Sequence, residues 1–287
     1  MSKTMKKLLI LVFILPCSIF AMDWPTSNGR LTANFGSNDG DLSLYGYVFN
    51  AEGDVYASDN GEVLFYSSEN DESNFVSPLG NWVVIDHGDS VLSIYSRLGE
   101  LAPLKTARVE KGENIAVAGK SGWSAKDGFI FAFFDRHERQ WVNPVQILSA
   151  VPDTMPPVIY SVMAKNQDGQ LFDLAQTKTL RQGRYAVLVH STDRSENAEG
   201  ALAPFRIVCS LNGIETGRLE LETINARDGI FLVYRNGLVP LRQVYAAAPA
   251  LEAVSDVSFT RGQNVLNISV QDFERNVRNA SYRLYIE

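Results

Sequence analysis

His87, His137 and His190 are the only histidines in the chain, and they bound the metal and acid–base chemistry open to it. Hydrolytic zinc needs several protein ligands, an open position for water and a nearby base. His87 sits in the turn Asp86-His87-Gly88, His137 in the charged run Asp135-Arg136-His137-Glu138-Arg139, and His190 far along the chain. Each reads as a turn or surface histidine rather than a ligand. A serine nucleophile is not supported, because no G-x-S-x-G elbow and no serine-proximal histidine occurs. Asp193, Ser195, Glu196 and Asn197 supply oxygens of the kind calcium takes. They lack a defined ligand spacing, so the run reads as a solvated hairpin loop.

The elements that must carry these residues are strands. Runs rich in β-branched and aromatic residues fall at 46–49, 62–66, 82–85, 91–95 and 129–134. Clusters such as Ser37-Asn38-Asp39-Gly40 and Asn60-Gly61 punctuate them. Further strands are expected at 158–163, 184–190, 205–211, 229–234, 264–270 and 281–286. Many short strands separated by Gly, Asn and Asp define an all-β protein. Pro152, Pro156 and Pro157 interrupt the pattern and mark a linker over 151–157. The reading therefore has two separable domains, a first at 22–150 and a second at 158–287, the latter with the strand number and spacing of an immunoglobulin-like β-sandwich.

The first residues argue for export. Lys3, Lys6 and Lys7 precede an apolar run over 8–20, and Ala21 offers a small residue for cleavage, so 1–21 reads as a signal peptide. The run is short for a bilayer span, and no transmembrane segment is expected after cleavage. Lipid attachment at Cys17 is the lesser alternative, since Pro16 is a poor residue to precede a lipidated cysteine. Cleavage after Ala21 leaves Cys209 alone and no internal disulfide. It also leaves 23 basic against 33 acidic residues, a net charge of −10. That balance disfavours nucleic acid as a partner.

Residues 24–148 resemble the LytM/lysostaphin-like peptidoglycan metalloendopeptidases in the order and spacing of six fragments. These are Trp24-Pro25 with Phe35-Gly36; Gly46, then Gly53-Asp54-Val55-Tyr56-Ala57 and Asn60-Gly61-Glu62-Val63; Gly80 to Gly88; Tyr95-Ser96-Arg97-Leu98; Val109, Gly112, Ile115-Ala116, Gly119 and Gly122; and Val142-Asn143-Pro144. The resemblance implies a LytM-type fold, the duplicated hybrid motif, with a long groove. In active members that groove holds one zinc and binds the peptide cross-bridges of peptidoglycan.

Carried over residue by residue, the family's metal and catalytic positions lose their chemistry. The H-x-x-x-D pair falls on Leu44 and Val48, the Y-x-H-L histidine on Arg97, and the H-x-H pair on Phe131 and Phe133. Apolar side chains offer a metal no lone pair, and a guanidinium is a permanent cation. The expectation is a pseudoenzyme with no cofactor, zinc entering only if that reading fails. Leu44, Val48, Phe131 and Phe133 then either pack solid or, with Tyr95 and Arg97, line an apolar groove for a partner. Arg97 is expected at the rim, because an unpaired guanidinium resists burial. The partner implied is peptidoglycan, a cell-wall hydrolase or another envelope protein, in the periplasm or cell envelope. The alternatives are an active zinc metalloendopeptidase and a purely structural envelope protein.

Overall fold

The computed structural model describes residues 21–37, 45–69, 77–104, 106–123, 128–245 and 251–287. Residues 1–20, Cys17 among them, and Leu44 lie outside the described residues. Within these limits the chain is almost entirely β, with one 3-10 turn, Pro144–Gln146, and one four-residue helix, Leu241–Val244. No helix among the described residues is long and apolar enough to cross a membrane.

The strand Phe129–Asp135 is the axis of the first half. Its first five residues are buried on both faces, which is why it reads as an unbroken apolar run. One edge pairs along its length with Val91–Leu98. The other edge pairs first with Tyr47–Asn50 and then with Gln140–Val142. The sheet continues outward from Val91–Leu98 through Asn81–Asp86 and Gly61–Ser67 to Arg108–Val109. A separate two-stranded sheet joins Asp54–Tyr56 to Asn114–Val117.

The second half is a sandwich of two sheets. Four strands, in the order Leu171–Asp173, Val158–Lys165, Gly183–Thr192 and Glu252–Phe259, make one layer. The facing layer contains Arg206–Leu211, Gly262–Gln271, Val277–Ile286 and the 14-residue strand Ile214–Arg227. Leu219, Leu221 and Ile224 of that long strand point into the core.

The two halves share this larger sheet. Gln140, Trp141 and Val142 pair with Asn225, Ile224 and Thr223, so the first half's hairpin runs directly into the second half's long strand. Asn143 reinforces the seam: it accepts a hydrogen bond from Tyr47 Oη at 3.2 Å and donates Nδ2 to the Leu221 carbonyl at 2.8 Å. Asn34 makes a reciprocal pair with Ala203, donating Nδ2 to its carbonyl at 2.9 Å and accepting its amide at 2.7 Å. One buried apolar cluster runs through both halves, from Phe131 and Ile85 to Leu221 and Val254.

Candidate functional site

Strand pairing decides which side chains share a face, because directly opposed residues point the same way and neighbours alternate. Val48 opposes Ile130, whereas Phe131 opposes Tyr47 on one side and Tyr95 on the other. Val48 therefore lies on the opposite face of the sheet from Phe131 and Phe133. The positions that share the face of Val48 are Ile130 and Ala132. Gly46 confirms this placement: a Cβ there would lie 3.0 Å from Ala132 Cβ and 2.6 Å from the Phe131 carbonyl oxygen. The strands approach so closely that only glycine fits.

Both faces are closed. Val48 and Ile130 form a small buried cluster with Ala33, and these three and Ala132 are each at most 4% exposed. On the other face Phe131 packs against Tyr95 at 5.1 Å and Phe133 at 4.9 Å between ring centroids. Tyr95 Oη accepts the Ser58 amide at 2.9 Å, and burial raises its pKa. Tyr95, Phe131 and Phe133 are core residues and do not line an open groove, because this face of the sheet is the interior of the first half. Arg97 is a second correction. It is 1% exposed, adopts a left-handed backbone with φ 61°, and has bonding partners of its own, so it does not mark a rim. The turn at the end of its strand carries the side chain inward.

The histidines lie elsewhere. His87 Nδ1 bonds the Asn60 carbonyl at 2.8 Å and Nε2 bonds Ser93 Oγ at 2.7 Å, which occupies both ring nitrogens. Burial lowers its pKa and favours the neutral ring. His137 is exposed beside Glu138, and His190 packs at a tilt against the Tyr160 ring.

Residues 44–144 match the model of Peptidase family M23, and residues 156–287 match a second family model. The first half is a LytM-like M23 domain. Its relatives include the murein hydrolase activator NlpD of Salmonella dublin, 27% identical over 130 residues. That match covers 45% of this chain and 32% of the relative. The Escherichia coli K12 protein of the same name is 26% identical over 125 residues, covering 44% and 30%. The chain thus spans about a third of the length of these relatives. Among solved structures, a zinc containing peptidase from Vibrio cholerae is 22% identical, covers 46% of this chain and 41% of its own, and superposes with a TM-score of 0.36.

The M23 family implies zinc, and the described residues at Val48, Phe131 and Phe133 and beside them do not fit it. A common metal needs ligands that converge on one face. The face carrying Val48 presents Ile130 and Ala132, and the opposite face presents Phe131 and Phe133, none with a lone pair to give. Among the described residues, the one group of three or more potential ligands is Asp153, Asp193 and Asp272, in another part of the molecule. Counting along the motif leads to Phe131 and Phe133, whereas the alternation of partners opposite Val48 places Ile130 and Ala132 on its face.

Proposed function

We propose that the protein is a non-catalytic LytM-like component of the cell envelope that regulates or positions a cell-wall hydrolase on peptidoglycan. One observation carries this reading: the face where a metal would have to sit is built from Val48, Ile130 and Ala132, packed shut and without donors. On this reading the face offers no side-chain donors to hold an activating metal and no room for a hydrolytic water. The name murein hydrolase activator, borne by the relatives, supports a regulatory role. Export through a leader at 1–21 is part of the proposal.

The mature chain, added to a purified murein amidase and dye-labelled sacculi, should raise the rate of dye release several-fold. Alone it should release none. Absence of stimulation across a panel of envelope amidases, together with failure to sediment with sacculi, would contradict the regulatory role and leave a structural one.

A further inference from the structure

We infer that Asp153, Asp193 and Asp272, with Glu196 and Glu274 beside them, form a calcium site that fastens the connector between the two halves to the end of the sandwich. Asp153 belongs to the connector. Asp193 directly follows the strand Gly183–Thr192 of one sheet, and Asp272 directly follows Gly262–Gln271 of the other. One carboxylate oxygen from each lies within 4.8 Å of the other two. Three segments distant in sequence thus deliver their charges to one point, where both layers of the sandwich meet the connector.

Asp193 is the observation that asks for a ligand. The residue is only 8% exposed, and its side-chain Oδ1 is buried with no hydrogen-bond partner. A buried carboxylate oxygen left unpaired is costly, so the arrangement calls for something to meet it. Asp272 is 1% exposed and is held in place by Asn276, whose amide and Nδ2 each donate to it at 2.7 Å. The same Nδ2 donates to the Asp153 carbonyl at 3.0 Å. Met155 donates its amide to Asp153 Oδ1 at 3.0 Å. Among the described residues no lysine or arginine forms an ion pair with any of the five acids. Asp193 and Glu274 line a cavity of about 70 Å³ that Trp24 also borders.

The donors are all hard oxygens, carboxylates with a backbone carbonyl nearby, and they come from irregular segments. That chemistry suits calcium better than zinc, which prefers nitrogen and sulfur, or magnesium, which demands a strict octahedron. Burial, and then the charges of Asp272, Asp153 and Glu274 facing it, push the Asp193 carboxyl up to about 8. The expectation of a solvated hairpin loop at 193–197 is corrected here for Asp193, which the fold carries inward against two acids that no local spacing connects.

The full mature chain, stripped with chelator, is titrated with calcium while its thermal transition is followed. Terbium luminescence, sensitised through Trp24, reports direct occupancy. One saturable site is expected, with an affinity in the ~10⁻⁴–10⁻³ M range of extracellular modules and a rise in Tm of roughly 5 °C at saturation. Asp193→Asn keeps the shape and removes the charge. It should fold with an unchanged or higher Tm in chelator, weaken calcium at least tenfold and abolish terbium emission. Should that variant fail to fold, Asp153→Asn in the connector gives the same readout. No Tm shift at 10 mM calcium would overturn the site, and so would a shift that survives in both variants. Equal stabilisation by magnesium would overturn the choice of cation.

Discussion

Phe131 and Glu252 show what the interior asks of single residues. Phe131 is fully buried between Tyr95 and Phe133, so truncation removes transfer energy and leaves a cavity. Phe131→Ala should cost roughly 3–5 kcal/mol in denaturant unfolding. A loss under 1 kcal/mol would mean that the ring does not pack as described. Glu252 sits 9% exposed at the start of its strand, with Oε2 unpartnered, and burial pushes its carboxyl up to about 8. A carboxyl that holds its proton more tightly when folded contributes fully below its unfolded value, and that contribution is lost as pH climbs through the folded one. Stability in chelator should therefore fall between about pH 4.5 and 8, with Asp193 acting in the same direction. Glu252→Gln should raise Tm at pH 9 relative to wild type and leave pH 5 nearly unchanged. Melts from pH 5 to 9 check this, and parallel profiles for the two proteins would refute it. Neither burial was legible in the chain. Glu252 and Asp193 look like ordinary polar residues near turns, and only tertiary packing removes their water. Arg97 misled for the converse reason: the rule against burying a guanidinium holds for an unpaired one, and the fold supplies partners.

Elements were far more legible than sites. Strands expected at 46–49, 129–134 and 264–270 lie within or largely overlap Tyr47–Asn50, Phe129–Asp135 and Gly262–Gln271. The reason is physical: buried strands must be apolar and β-branched, and their ends must turn. Ile214–Arg227 escaped because its outward face is charged; Glu220 and Glu222 alternate with Leu219 and Leu221, and Arg206 pairs with Glu220 at 2.6 Å across that face. Register escaped too, since a slip of one residue exchanges the two faces of a strand. That slip separates Phe131 and Phe133 from Ile130 and Ala132 as companions of Val48. Gly46 tests the register directly. Gly46→Ala would force its methyl against the Phe131 carbonyl and Ala132 Cβ, and should destabilise by about 1–3 kcal/mol. A neutral substitution would show that the two strands do not approach as the pairing requires.

For the whole molecule, the prolines at 151–157 divide the chain without dividing its energetics. We propose the boundaries 22–150 and 158–287 as units of sequence that fold together, rather than as the separable domains expected from the proline linker. The hairpin strand Gln140–Val142 pairs with Ile214–Arg227, Tyr45 stacks on Trp141 at 4.4 Å, and Tyr245 Oη bonds the Gly36 carbonyl at 2.6 Å. Calorimetry of the mature chain should show one transition, and either half expressed alone should melt well below it. Two separate transitions matching the isolated halves would contradict a shared core. The overall plan, an M23-type half followed by a β-sandwich, was legible because glycines at turns recur in order over 24–148. The seam was not, because the residues that make it are spread from Asn34 to Tyr245. The most direct test of the central claim is murein cleavage by the purified mature chain supplied with zinc. The account predicts no release of cross-bridge peptides above the blank at any zinc concentration. Chelator-sensitive release of those peptides, with one equivalent of zinc bound per chain, would contradict it.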